Sequence, residues 1–351
     1  MDIIQYLEAF SDDQESILFD EVSGHVCFTR YGNEIEFDIS SVAGMGDIVS
    51  LDGRNIPLDI FIQENLLHLD ILAKQIQKAY TNRVNSNIFI DFKSEESKND
   101  TITVVNETKK HVIHELYKYN VFTTKIIEIM ADAGQGKSYF LEELAKDLAM
   151  EYKPGINPNP ILIPVDLLGR VIASIPDAIA GTMQNTIKFP FLKHSDFLMC
   201  MRRNWIILAL DGYDELAARI GIKDSYIKLN DLIQSLKNSG TVILSARTSF
   251  YKSYSTGVAI QQYLRPNNGE YVKTSLRLLP WSVDEQRKYL ELVYPQRSEE
   301  IYDSLYTAFI NDLNLLENPF FFTKIIELFS NKTGVLSGMN KMERVKYIID
   351  Q

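Results

Sequence analysis

Cysteine is nearly missing: Cys27 and Cys200 are the only two among 351 residues. Two thiols cannot build a disulfide framework or a structural zinc site, so the chain must fold on its apolar core. Long hydrophobic runs are missing too, and none approaches the roughly 20 residues of a membrane-spanning helix. The opening MDIIQYLEAF carries an acid at position 2 and no basic segment before its apolar residues, which excludes a signal peptide. Positive charge is scarce, with 36 Lys and Arg against 47 Asp and Glu and a net charge of -11. That balance argues against a broad nucleic-acid or anionic-membrane footprint, because such surfaces need cations to neutralise phosphates. These absences lead to the expectation of a soluble cytoplasmic protein. Any polyanionic ligand would need a local positive site.

What is present is ordinary globular material, 45% hydrophobic and 24% charged, enough for two or three domains. The first third alternates as β structure does. His25 to Arg30 and Ile35 to Ile39, joined by a turn at residues 31–34, predict a hairpin, and Asp52-Gly53 predicts a second turn. Ile62, Leu66, Leu69, Ala73 and Ile76 share one face of a predicted long helix. This stripe reads as domain core, with a partner-binding helix as the alternative. Asn87 to Lys93 predicts another strand, and the polar stretch Ser94 to Asp100 a linker. Asn106 is placed to cap a helix running to about Tyr119.

Beyond this point strands and helices alternate, the pattern of a parallel sheet covered by helices. Near-continuous apolar runs at Lys125–Met130, Ile161–Val165, Trp205–Leu210, Thr241–Ser245 and Val272–Leu279 predict its strands. From Ser282 the chain turns helical, opening on a capping box of Ser282 and Glu285. Ile301, Leu305, Phe309 and Leu313 mark the next helix, and Pro319 starts a third that ends near Gly334.

Three segments carry chemistry. Ala131-Asp132-Ala133-Gly134-Gln135-Gly136-Lys137-Ser138 follows a predicted strand and opens a predicted helix, the context in which successive backbone amides can cradle phosphate. Lys137 would reach the β- and γ-phosphates of a nucleotide, and the Ser138 hydroxyl would ligate Mg²⁺. The first glycine of the usual pattern is replaced by Ala131. Next, WIILALDGYDEL delivers Asp211 at a strand's carboxyl end, where open α/β sheets bind ligands. Asp214 or Glu215, within one turn of it, is placed to orient or deprotonate a hydrolytic water; capping of the next helix is the bland alternative. Finally, GTVILSART ends a strand on Arg247, a guanidinium able to contact a γ-phosphate or simply to pair with a neighbouring acid.

A loop of form AGxGKS, a strand ending DGxDEL, a later strand ending S-x-R and the Asn318-Pro319-Phe320 element together resemble the NACHT branch of the STAND ATPases, across about residues 106–351. The resemblance implies an α/β fold: a P-loop parallel sheet of the ASCE/AAA+ kind flanked by helices, preceded by a small α+β domain and followed by a small helical subdomain. It places these at 106–281, 1–105 and 282–340. KMERVKYIID resembles the entry to a winged helix, so residues 341–351 are expected to begin a domain that a longer chain would complete. It further implies ATP or ADP with Mg²⁺ as ligands. The nucleotide would be held by Ala133, Gly134, Gln135, Gly136, Lys137, Ser138, Tyr139 and Pro319, with Pro319 near the adenine. The metal would be held by Ser138 and Asp211, while Asp214, Glu215 and Arg247 act in catalysis. The implied function is a slow ATPase switch that forms homo-oligomers when activated, in bacterial antiviral defence. A P-loop kinase and a non-hydrolysing ATP-binding scaffold are the competing readings.

Two weaker patterns are present. Asp91-Phe92-Lys93 has the D-x-K form of a nuclease half-site but lacks well-spaced partner carboxylates. His111 and His114, three apart on a helix, have metal-ligand spacing without a third ligand.

Overall fold

The computed structural model describes residues 3–42, 46–51, 53–81, 88–98, 101–118, 123–167, 174–190, 192–254 and 271–331, together with Glu343 and Lys346. The predicted helix end near Gly334 and most of the expected winged-helix entry lie outside them.

The N-terminal layer starts with a short helix α1 (Ile3–Leu7) and a meander of five antiparallel strands: β1 (Leu18–Asp20), β2 (His25–Arg30), β3 (Asn33–Val42), β4 (Gly46–Leu51) and β5 (Arg54–Pro57). The predicted hairpin forms, but around a two-residue turn, because Arg30 already pairs with Asn33. The predicted long helix is divided. Helix α2 (Leu58–Phe61) runs into a π-turn (Ile62–Leu66), His68 takes a left-handed φ of 50°, and α3 (Leu69–Thr81) follows. All five stripe residues are nevertheless buried. The π-turn and the break rotate two helical pieces until their apolar faces meet the same core.

Residues 88–93, predicted as a strand, have no regular secondary structure. Their backbone groups bond to a helix start and a loop instead of a neighbouring strand. The Phe92 carbonyl accepts from the Thr108 amide at 3.0 Å and hydroxyl at 2.6 Å, and the Lys93 carbonyl accepts from the Leu279 amide at 2.9 Å. The predicted linker is itself a strand, β6 (Ser94–Lys98), which turns back as β7 (Thr101–Val105). Its polar side chains are partnered by charges on neighbouring elements: Glu95 pairs with Arg277 and Glu96 with His111. Helix α4 (Thr108–Tyr117) is preceded by Glu107 as its cap residue, one position after Asn106, where the cap is expected from sequence.

The main sheet has seven strands in the order β7-β6-β12-β8-β11-β10-β9. Strands β8 (Thr124–Met130), β9 (Ile161–Asp166), β10 (Ile206–Asp211), β11 (Thr241–Ala246) and β12 (Tyr271–Leu278) are parallel, and the β6-β7 hairpin is added antiparallel at one edge. All five parallel strands fall where the apolar runs place them. Helices α5 (Lys137–Glu151), α6 (Ile175–Thr182), α7 (His194–Arg202), α8 (Tyr213–Ile220), α9 (Ile222–Ser235) and α10 (Thr248–Tyr254) cover the sheet. The helical part follows with α11 (Val283–Val293), α12 (Ser298–Ala308), α13 (Leu313–Leu316) and α14 (Pro319–Asn331). Ser282 and Glu285 form the predicted capping box on α11. Leu313 begins a helix of its own and does not continue α12.

The N-terminal layer is fastened to the sheet domain. Helix α3 packs along α5, the helix that opens at Lys137. Gln63, fully buried, donates to the Gly155 carbonyl at 2.7 Å and accepts from the Tyr152 hydroxyl at 3.2 Å.

Candidate nucleotide site

Strand β8 ends at Met130, and the chain loops through residues 131–136 before α5 begins at Lys137. Gly134 and Gly136 sit at φ 77° and 85°, conformations that L side chains rarely adopt. There is no room for a side chain either. A Cβ on Gly134 would lie 2.8 Å from Asn318 Oδ1, and one on Gly136 would lie 3.0 Å from the ring of Phe92. This cradle of small residues at a helix start, with a lysine as the first helical residue, fits a phosphate chain. Ala131, which stands where the usual pattern has its first glycine, is fully buried and does not take a positive φ. Its carbonyl accepts the Lys137 ammonium at 2.9 Å, and Asp132's does so at 3.3 Å. Burial lowers the Lys137 pKa, opposed by the nearby Asp211 and Asp214 carboxylates.

Asp211 ends β10 beside Ser245 of β11, whose hydroxyl donates to it at 2.5 Å. Burial raises the Asp211 pKa, and hydrogen bonds from Ser138 and Ser245 and the charge on Lys137 pull it back. A carboxylate this desolvated and this close to a lysine and two hydroxyls is a suitable ligand for a hard divalent cation. Gly212 then turns the chain into α8, placing Asp214 and Glu215 in its first turn. Arg247, just after β11, reaches both, with Nε 3.4 Å from Asp214 Oδ2 and Nη2 3.5 Å from Glu215 Oε1.

Lys137, Ser138, Asp211, Asp214, Glu215 and Arg247 all line one hollow of about 300 Å³, together with Ala133 and Gly134. The strand order explains the convergence. Neighbouring parallel strands β8, β11 and β10 deliver their carboxyl ends to one rim, and each chemistry-bearing segment follows one of these ends. Further walls of this hollow are Tyr80 of α3, Glu142 of α5, Asp166, Thr182 at the end of α6 and Thr186 just beyond it. Asp166 had a readable signal, an acid ending an apolar strand as Asp211 does, and it is the register partner of Asp211. Tyr80 had none, because it comes from the N-terminal layer.

A second cavity, about 770 Å³, lies across the glycine loop and shares Gly134 with the first. Its walls include Ile90 and Phe92 of the irregular segment, Trp281 and Tyr289, and Pro319 with Phe320. Aromatic and aliphatic walls suit a planar base. The buried Trp281 indole N–H has no hydrogen-bond partner, which leaves a donor for a ligand. Tyr139 lines this cavity, donates from its hydroxyl to the Ile88 carbonyl at 2.9 Å and stacks on Phe89. The Gln135 side chain turns inward and accepts from the Asp132 amide at 2.9 Å, bracing the loop. Asn318, the first residue of the Asn318-Pro319-Phe320 element, lies against the glycine loop. It donates to the Ala133 carbonyl at 2.9 Å.

The two weaker patterns are structural. Asp91 caps the start of α4 through the Lys109 amide, and Lys93 pairs with Glu285 on α11 at 2.8 Å. His111 pairs with Glu96, and among the described residues neither it nor His114 joins a cluster of three metal-ligating side chains.

Fold and loop together define the P-loop α/β class. No protein-family model matches the chain, and no curated protein matches it. Among solved structures it is similar to domain III of the Thermotoga maritima replication initiation protein DnaA, with 14% identity and a TM-score of 0.39, over 69% of this chain and 89% of that one. It is similar to the Drosophila ORC bound to DNA, with 13% identity and a TM-score of 0.41, over 79% of this chain and 68% of that one. A Walker-type ATPase of Pyrococcus abyssi is similar at 13% identity and a TM-score of 0.38, over 70% of this chain and 71% of that one. Among the described residues no helix is long and apolar enough to cross a membrane.

Proposed function

We propose that this chain binds ATP or ADP with Mg²⁺ and hydrolyses ATP slowly, as a signalling switch of the NACHT/STAND type in the bacterial cytoplasm. The supporting observation is the single hollow that Lys137, Asp211 and Arg247 share, with a base-sized apolar cavity just across Gly134. Ser138 and Asp211 are the groups to hold the metal, which when bound would supply charge neutralisation on the phosphates. Lys137 would give up two backbone carbonyls for phosphate oxygens. Asp214 or Glu215 would position a water and accept its proton. Arg247, held between those two acids, is the group that would exchange carboxylates for a terminal phosphate, and that exchange would distinguish ATP from ADP. Phe320 and Asn318 bond directly to the loop, so a change there would reach the helical part. ATP-dependent homo-oligomerisation and a role in antiviral defence belong to the same proposal and rest on the sequence resemblance.

The test is equilibrium binding of MgATP and MgADP to the wild type and to Lys137→Ala, followed by light scattering of each mixture. Micromolar binding that Lys137→Ala removes, with larger assemblies in ATP than in ADP, is the expected result. Equal binding by the two proteins would overturn the site, and identical mass in both nucleotides would overturn the switch.

A further inference from the structure

The amide of Asn318 performs two separable jobs at the junction between the glycine loop and the helical part. Its Oδ1 accepts from the backbone amides of Phe320 at 3.1 Å and Phe321 at 3.3 Å, capping α14. Its Nδ2 crosses to the loop and donates to the Ala133 carbonyl at 2.9 Å. Capping needs only the oxygen, so the nitrogen's bond is extra to helix formation. The next carbonyl, that of Gly134, is held from the same helix end by the Phe320 amide at 3.2 Å.

In a trans peptide the carbonyl and the following N–H point in opposite directions. No cis peptide occurs among the described residues. Drawing the Ala133 carbonyl toward α14 therefore turns the Gly134 N–H away from α14. Gly134 lies between the two cavities, so the direction of its amide decides whether the loop can present that donor to an anion. The approach is too close for a side chain at 134, which matches a contact that fixes the loop and does more than border it.

We infer that Asn318 is a positioning residue for nucleotide binding: it sets the Ala133–Gly134 peptide so that the loop is already arranged to receive phosphate. The inference rests on the P-loop reading above, and it names a residue that acts through the loop without touching the ligand. Asn318→Asp keeps the size and the capping oxygen, but replaces the donor with an oxygen facing a carbonyl. Asn318→Ser keeps a capping hydroxyl, cannot span to Ala133 and adds no charge.

Binding of MgATP is measured for wild type and both variants well below their melting midpoints, where a modest loss of stability leaves the affinity of the folded protein unchanged. Losing one such bond should weaken binding about tenfold in Asn318→Ser and more in Asn318→Asp. The melting midpoint without added nucleotide should stay within about 2–4 °C of wild type. The Michaelis constant for ATP should rise while the turnover number changes little, since the loop is reached before any chemistry. Wild-type affinity in both variants, whatever their midpoints, would reduce Asn318 to a helix cap and overturn the inference. A wild type that binds no nucleotide would instead refute the P-loop reading itself.

Discussion

Arg30 and Asp196 form a two-point ion pair in the protein interior, with Nη1 to Oδ1 at 3.0 Å and Nη2 to Oδ2 at 2.9 Å. Both side chains are essentially inaccessible, at 4% and 0% exposure. Arg30 comes from the N-terminal meander and Asp196 from α7 of the sheet domain. Burial pushes the Asp196 carboxyl up, against the pull of Arg30. A buried charge pair does little for stability compared with an apolar pair, but removal of one member is strongly destabilising. Arg30→Met should therefore cost about 3–5 kcal/mol in urea unfolding. Because Gln63 and α3 tie the same two layers together, that loss should appear in one cooperative transition. A second, earlier transition confined to the meander would count against this coupling.

The acids around Arg247 give a prediction about chemistry. Asp214 and Glu215 both face its guanidinium from outside the glycine loop proposed to hold phosphate, so their carboxylates can be removed without altering that loop. Asp214→Asn combined with Glu215→Gln should slow ATP hydrolysis by about 10²–10⁴-fold, the usual share of a general base, and leave MgATP affinity within about threefold. Steady-state hydrolysis paired with equilibrium binding separates the two. Unchanged turnover in the double variant would remove both residues from the reaction.

Glu285 gives a pH prediction. It sits in the α11 capping box and accepts from Lys93, at the end of the irregular segment that walls the second cavity. Burial would raise its pKa, but hydrogen bonds from Lys93 and Ser282 outweigh burial and hold it below the ordinary value of 4.5. A carboxyl with a lowered folded-state pKa contributes stability above its unfolded pKa and loses that contribution as pH falls through the folded value. Glu285→Gln should thus cost about 0.5–1 kcal/mol at pH 7, and the deficit should shrink as both proteins are taken below pH 4.5. Denaturant melts at pH 7, 5 and 4 measure the difference. A deficit that grows toward low pH has the wrong sign for this account.

Legibility from sequence divided along physical lines. The five parallel strands were readable because a strand covered on both faces must be a continuous apolar run, as IILALD and TVILSA are. The loop from Ala131 to Ser138 was readable because its glycines and lysine stand adjacent in the chain. Misreadings fell where polar or short segments take their structure from distant partners. Ser94–Lys98 has the composition of a linker, yet β12 offers it an open edge. NIFIDFK has the composition of a strand, but among the described residues no strand pairs with 88–93. Its carbonyls are taken by Thr108 and Leu279.

By itself the sequence determined which residues could meet phosphate, metal and water, since those abilities belong to side-chain chemistry and to neighbours one or two positions away. It also determined that most of the chain alternates strands and helices, since periodicity is a local property. Only the tertiary structure decided that β8, β11 and β10 lie side by side, so that Lys137, Arg247 and Asp211 share one hollow. Only it placed Tyr80 and Phe92 from the first third of the chain against the site, and Asn318 from the last part on the loop. Such contacts depend on strand order and on which apolar faces find each other, and neither is written at any one position in the chain.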